Sequence, residues 1–565
     1  MHNHLPTRYR TAPRKPITLA LSLALGLATT QVLAAPDAPS PLSSDDHGPA
    51  AALMRRAAEA GIAVPRDLPY FMELAAKRRA ESADASPKAT ITVTNCNDSG
   101  GGSLRAAIGF AASGDVVDLS GLNCNITLAS SIVTSVDNLT LKGNPEKKYG
   151  ISGNNQIRPL VHNGTGTLTL DGLTVRNGRV TSSSSASPTR GGCILSDGSV
   201  ELTNQAQVKY CEARNTSTSG SPLVQGGAIF AAESVTLNDG GRVSGSTARS
   251  ARGNAEGGGI HAPFVQMSGG LIENNTAQIT GDGTVASGGG IHADSVIGKY
   301  SIVRKNKAVV AGSATALRAV GGGIRLEGEN VSTMKYSTLN DNAIQGSGAV
   351  FAGGAAISLA SSTASGDALE LKLSTIANNQ TDNSAKYGGA LSLGQNAVIR
   401  SSTISGNTEK NANDEKYGAG ITLDQGVTLT MTSSIIAGNH LINSTSGTSM
   451  MSDLGVREPD SGTATVVGTR NFRNWIHSGI TWPTGNFGGL ESVRLGSLAD
   501  NGGLTQTMMP NPDSPVIDKG GIEGLSGSYD QRGEGFPRVI GTQADIGAVE
   551  WKLNPEIFAD GFEQD

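Results

Sequence analysis

The chain has 565 residues, of which 75 are glycine, while aromatic residues make up 4% and charged residues 16%. So long a chain with so few large side chains excludes one conventional globular core and suits a body of repeated layers, each needing little apolar filling. A net charge of -5 lacks the basic footprint that a nucleic-acid partner calls for.

Residues 1–34 read as a targeting segment. Arg8, Arg10, Arg14 and Lys15 precede an apolar run over 17–27, and Val32-Leu33-Ala34 offers small residues at a cleavage site. The run is short for a membrane anchor, and no second apolar stretch of spanning length follows it. Export is therefore expected. Residues 35–88 are Ala-rich with two short stretches at helical periodicity, around Leu53 and around Tyr70, and read as a propeptide or a tether. Four cysteines in an exported chain predict two disulfides, paired here as Cys96 with Cys124 and Cys193 with Cys211. No Cys-x-x-Cys or Cys/His cluster stands at ligand spacing, so no metal centre is expected from them.

Strands begin at Thr90. They are interrupted by Leu104-Arg105-Ala106-Ala107-Ile108, a short helix with Ser103 as N-cap and Leu104, Ala107 and Ile108 on one face, suited to closing the end of a stack of strands. From there to about 178 come the first coils. Over 179–445 one pattern repeats: a glycine cluster, most often Gly-Gly-x, followed by the apolar residue Ile194, Ile229, Ile260, Ile291, Ile324, Ile357, Leu391 or Ile421, with a period of about 30 to 35 residues. A second marker, an aliphatic three before an Asn, keeps phase with it: Ile272/Asn275, Val303/Asn306, Leu339/Asn342, Ile376/Asn379, Ile404/Asn407 and Ile436/Asn439. Each unit holds three apolar runs too short for helices, with in-out-in alternation such as Ile260 and Ala262. The expected fold is an all-β parallel β-helix, one unit per coil at about 4.8 Å, with the Asn residues laddered at an inward corner. Residues 446–494 read as terminal coils and linker, 495–551 as a Pro- and Gly-punctuated cap for the far end, and 552–565 as a tail.

Three stretches carry resemblances. Cys96-Asn97-Asp98-Ser99-Gly100, Ser103-Leu104-Arg105-Ala106-Ala107-Ile108 and Gly166-Thr167-Leu168-Thr169-Leu170-Asp171-Gly172 resemble the N-terminal module of secreted bacterial β-helix proteins whose signature reads CSLREA, although Gly102-Ser103 stands where its Cys would and Ala106 where its acidic residue would. Units such as Gly226-Gly227-Ala228-Ile229 resemble the repeats of polymorphic outer-membrane proteins. Leu498-Ala499-Asp500-Asn501-Gly502-Gly503, Pro512-Asp513-Ser514-Pro515, Asp530-Gln531-Arg532-Gly533 and Asp545-Ile546-Gly547-Ala548-Val549-Glu550 are similar to the choice-of-anchor domain of such proteins. These resemblances imply a right-handed β-helix, secreted or attached at the outer membrane of a Gram-negative bacterium. Asp530, Arg532, Asp545 and Glu550 are expected to form a structural ion-pair and turn network.

For function, the residue after each aliphatic marker points out of the coil: Leu195, Phe230, His261, His292, Arg325, Ser358, Ser392 and Thr422. Stacking sets His261, His292 and Arg325 in a column with Asp294 and Glu327 beside it. These five are the candidate ligand-binding residues. The column suits a carboxylated sugar held by Arg325, and the two carboxylates suit a calcium ion as the only cofactor the pattern allows. The segments 181–190, 215–225 and 277–287 read as surface loops that add to this face. Paired-Asp and Gly-His-Gly signatures of polygalacturonase-like hydrolases are absent, as are a nucleophile elbow and a phosphate loop. The leading expectation is a monomeric, non-catalytic surface that binds a polysaccharide or a host or cell-surface ligand. A polysaccharide lyase or hydrolase using His261, His292 and Arg325 is the alternative, and a structural envelope component the third.

Overall fold

The computed structural model describes residues 89–552 apart from 313–316, 347–350, 363–365, 383–387, 412–416, 458–461 and 522–528. The expected targeting segment, the Ala-rich segment and the C-terminal tail lie outside the described residues. The chain is a right-handed parallel β-helix. The first sheet has 14 strands, the second 13 and the third 11. One coil runs through Ile229–Ala231 in the third sheet, Ser234–Asn238 in the first and Arg242–Ser244 in the second. The repeat markers stack as the periodicity requires: Ile194 pairs with Ile229, then Ile260, Ile291, Ile324, Ile357, Leu391 and Ile421. All eight are at most 1% exposed, so each coil contributes a thin aliphatic slice to one continuous core.

Polar ladders run the length of that core at its corners. Asn275, Asn306, Asn342, Asn379, Asn407 and Asn439 are all fully buried, and each side-chain Nδ2 donates to the Oδ1 of the next at 2.8–3.0 Å. The same Oδ1 also accepts the backbone N–H of the Asn one coil earlier, as Asn342 does from Asn306 at 3.1 Å. The second Nδ2 proton goes to a strand carbonyl, Val303 O at 2.8 Å for Asn342. Every amide is thereby satisfied in a place where an unpaired polar group would be costly. Asp453 ends the row by accepting from Asn439 at 2.8 Å. A parallel row of serines, Ser301, Ser337, Ser374, Ser402 and Ser434, links backbone N–H to the next Oγ at 3.1–3.2 Å between the first and second sheets.

The coils hold more than three strands. Between second and third sheet the chain leaves the prism and returns, forming an arch whose two limbs are Thr247–Ser250 and Asn254–Glu256 in the coil described above. These limbs stack into an outer arch sheet of 10 strands and an inner arch sheet of 6. The segments 181–190, 215–225 and 277–287, expected as loops, are such arches. In the coil described above each limb carries a single alanine, Ala248 or Ala255, between polar residues, too little to read as a strand. Ala213, Ala248, Ala277 and Ala308 face Val224, Ala255, Ala286 and Ala319 in a second, dry core that only stacking completes. The disulfide Cys193–Cys211 joins the exit of the first arch to the entrance of the second, and Cys96–Cys124 fastens the N-terminal coil, both pairs as expected.

The N-terminal helix α1, Leu104–Phe110, is capped by Ser103 and seats Leu104, Ala107 and Ile108 in the main core. The C-terminal region differs from its expected place. Rather than covering only the far end, it runs along the outside of the second sheet, where Thr505 Oγ1 donates to Tyr336 O (3.1 Å), Thr375 Oγ1 to Gln531 Oε1 (2.6 Å) and Ala548 N to Thr403 Oγ1 (3.1 Å). The outward residues of that sheet change to receive it, from Arg242 and Leu271 in early coils to the buried Thr338, Thr375, Thr403 and Ile435. Within it the expected ion network is present: Arg532 on Asp530 (2.6 Å) and Arg538 on Glu550 (3.2 Å), with Asp545 accepting the backbone N–H groups of Asp518 and Trp551.

Replacing Asn342 with Ala removes one rung and leaves one Nδ2 proton and the backbone N–H of Asn306 without their acceptor in a dry corner. Denaturant melts should show a loss of about 2–3 kcal/mol, against less than about 0.5 kcal/mol for Gln266→Ala on the outer face of the first sheet. Equal losses would mean the ladder carries no special weight.

Candidate functional site

The arch decides the character of the face singled out by the repeat. The outward column of the third sheet is in register as expected, with Phe230 beside His261, His261 beside His292 and His292 beside Arg325. It is not the open face that three-stranded coils imply. The inner arch sheet folds over the column as far as Ser358, leaving Phe230 and His292 at 7% exposure and Ser358 at 2%; Ser392 and Thr422, beyond the last strand of that sheet at Phe351–Gly353, are 2% and 0% exposed. Column and arch form the two walls of a narrow groove parallel to the rod axis.

Side chains fill this groove as a stack. Arg190 lies over the Phe230 ring, 4.3 Å from its centroid. Phe230 stacks on His261 at 5.5 Å and His261 on His292 at 4.9 Å. From the arch wall Arg190 Nε donates to Gln225 Oε1 (2.9 Å), which orients the Gln225 amide so that its Nε2 donates to Glu256 Oε2 (3.1 Å) and to His261 Nε2 (2.9 Å). Burial, partly offset by the Glu256 carboxylate beside it, holds the His261 imidazole below its usual range. Burial pushes the Glu256 carboxyl up, but the neighbouring His261 and His292 and the bond from Gln225 outweigh this and leave it lowered. His292 Nδ1 meets Ser287 Oγ at 2.8 Å, and its Nε2 lies 3.5 Å from Glu327 Oε2. Arg325 donates to Ser358 Oγ (2.8 Å) and to Glu327 Oε1 (3.3 Å).

Of the five residues the sequence proposed, four are thus brought into mutual contact: His261, His292, Arg325 and Glu327. Asp294 is not. It stands exposed at the turn into the first sheet, and among the described residues its carboxylate bonds to none of the column. The calcium expectation placed Asp294 and Glu327 together, yet both Glu327 oxygens are engaged by His292 and Arg325. Sequence reasoning missed Arg190, Gln225 and Glu256, although each stands immediately before the first glycine of its repeat, a constant offset that marks the inner wall. It also missed that Glu256, His261 and His292 set three ligand atoms within 4.8 Å of one another. The two histidines are a full coil apart in the chain, so no ligand spacing exists to read.

A second column lies on the first sheet. Lys299, Lys335, Lys372 and Arg400 occupy the last outward position of four successive strands and pair in register. Lys299 is exposed, Lys335 and Arg400 are half-buried and Lys372 is 7% exposed. Lys299 and Lys335 sit over Tyr300 and Tyr336, 5.2 and 4.7 Å from the ring centroids. Arg400 reaches Glu370 only at 3.9 Å, and none of the three lysines has an ion-pair partner among the described residues. Burial together with Lys372 and Lys299 pushes the Lys335 ammonium down to about 8. The recurring basic residue before each corner, as in Lys299-Tyr300 and Lys335-Tyr336, was the available signal.

Among the comparisons with known proteins, no family model, no curated protein and no solved structure matches this chain.

Glu327 offers a pH test. The hydrogen bond from His292 first, then the charges of His292 and Arg325, outweigh burial and hold its carboxyl down at about 2. A carboxyl lowered on folding stabilises above its ordinary range near 4 and loses that contribution as pH falls toward 2. The melting-temperature gap between wild type and Glu327→Gln, present at pH 5, should close between about pH 4 and 2. A gap independent of pH would assign the difference to packing instead.

Proposed function

We propose that the protein is an exported, monomeric binding protein of the cell surface or extracellular space, and that its ligand is an extended acidic polysaccharide lying along the first sheet across Lys299, Lys335, Lys372 and Arg400. The observation that supports this is a row of four cations at coil spacing with one carboxylate, Glu370, beside it. Two such charges about 5 Å apart repel by roughly 3 kcal/mol at an effective dielectric of about 20, and solvent screens the exposed end of the row more than the covered part. A polyanion spanning several coils relieves that repulsion along its whole length, which a small anion at one position does not. Two disulfides fit the oxidising compartment in which such a ligand would be met. The resemblance of the C-terminal region to anchor domains favours the cell surface. His261 Nε2, His292 Nδ1 and the Arg325 guanidinium are engaged by neighbouring side chains, which favours binding over turnover.

Titration calorimetry with oligogalacturonate and with a neutral oligosaccharide tests this. Oligogalacturonate should bind with an affinity that falls as salt rises, and Lys299→Gln/Lys335→Gln should weaken it about tenfold or more, that is by about 1.4 kcal/mol or more. Equal affinity for the neutral chain, or binding indifferent to the double substitution, contradicts the assignment. Release of shortened products that Arg325→Ala abolishes would establish a lyase or hydrolase in its place.

A further inference from the structure

The groove holds an electrostatic conflict that its own residues leave unresolved. Because Arg190 fixes the Gln225 carbonyl, the Gln225 N–H points at His261 Nε2, which must accept with its lone pair. The ring proton then sits on Nδ1, a buried atom with no partner. The Nε2 lone pair also faces Glu256 Oε2, itself acceptor-only, at 3.3 Å. His292 is stacked directly on His261, and its Nδ1 contact with Ser287 Oγ can hold the ring proton there, so that Nε2 becomes a second donor atom once it gives up its contact with Glu327. Two imidazole nitrogens and a carboxylate oxygen thus lie within 4.8 Å of one another.

We propose that Glu256, His261 and His292 form a binding site for a divalent first-row transition-metal ion, of which zinc is the best match to this nitrogen and oxygen donor set. Zinc–nitrogen and zinc–oxygen bonds of about 2.0–2.2 Å put tetrahedral ligands about 3.3 Å apart. Donors already within 4.8 Å need side-chain rotations on the order of an ångström to close, with the Gln225 amide turning off Nε2. The ion would replace the opposed electron pairs by three bonds and leave one position for water or a ligand group. Glu256 lies on the inner arch sheet and the two histidines on adjacent coils of the third sheet. Bound metal would therefore clamp arch to prism and coil to coil. This site stands apart from the lysine row and does not depend on it.

The test uses the full-length protein, freed of metal by chelator and titrated with zinc chloride, with cobalt chloride as a spectroscopic probe. One equivalent should bind, raise the melting temperature by a few degrees and, for cobalt, give the visible absorption of a low-coordinate nitrogen and oxygen site. Glu256→Gln, His261→Gln and His292→Gln should each weaken binding at least tenfold and cancel the thermal shift. A His2→Ala/His4→Ala/His47→Ala variant should keep both, excluding the remaining histidines ahead of the β-helix. Should a histidine variant fail to fold, Glu256→Gln decides, because Glu256 is half-buried at the groove edge and packs in neither core. Absence of stoichiometric binding, or binding that survives Glu256→Gln and His261→Gln together, overturns the proposal.

Discussion

The structure depends on the requirement that buried amides be satisfied at every coil. An aliphatic slice alone would let one coil slide or rotate on the next, since Ile on Ile is indifferent to small displacements. The row from Asn275 to Asn439 removes that freedom, because its side-chain and backbone bonds close only when each coil sits directly over its neighbour. The serine row does the same at a second corner. Fixing the corners fixes the faces, and this turns residues a whole unit apart in the chain into neighbours.

Both functional columns are consequences of that register. Phe230, His261, His292 and Arg325 come together because each follows a stacked aliphatic, and Lys299, Lys335, Lys372 and Arg400 because each ends a strand of the first sheet. They differ in what surrounds them. The arch gives the histidine column a second wall and makes it a narrow, internally bonded groove suited to something the size of an ion. Among the described residues the lysine row has only Glu370 beside it and no opposing wall. The C-terminal region extends the same logic: threonines on the second sheet present hydroxyls at coil spacing, and Gln531 bonds Thr338 and Thr375 on successive coils.

Much of this was legible in the sequence, and the failures have physical reasons. The glycine–aliphatic marker and the aliphatic–Asn marker gave the parallel β-helix, the coil register, the ladder and the column, because core residues and corner amides are constrained at every turn. Ser103 and the face of Leu104, Ala107 and Ile108 gave the helix, and the cysteine pairs were as expected. The arches were not seen because Thr247-Ala248-Arg249-Ser250 has no strand-like alternation of large apolar residues; its stability comes from Ala213 below and Ala277 above, which a window on one segment does not contain. Missing the arch made the histidine column look solvent-facing and hid Glu256 as its neighbour. The C-terminal segment was assigned to the end by its place in the chain, whereas its fit to the second sheet rests on Thr338, Thr375 and Thr403, residues ordinary enough in sequence to give no sign of a partner.

The central claim is that successive units lie in one fixed register, and a cross-link reads it directly. Gln266 and Ile297 are register partners on the outer face of the first sheet, while Lys299 lies two residues farther along the same strand as Ile297. Adjacent parallel strands bring partner Cα atoms to about 5 Å, within disulfide reach, and a shift of two residues takes them out of it. Under mild oxidation the Q266C/I297C protein should close a third disulfide nearly quantitatively, seen by mass spectrometry of its peptides, and the Q266C/K299C protein should not. Cross-linking of the second pair in preference to the first would contradict the stacking on which both columns rest.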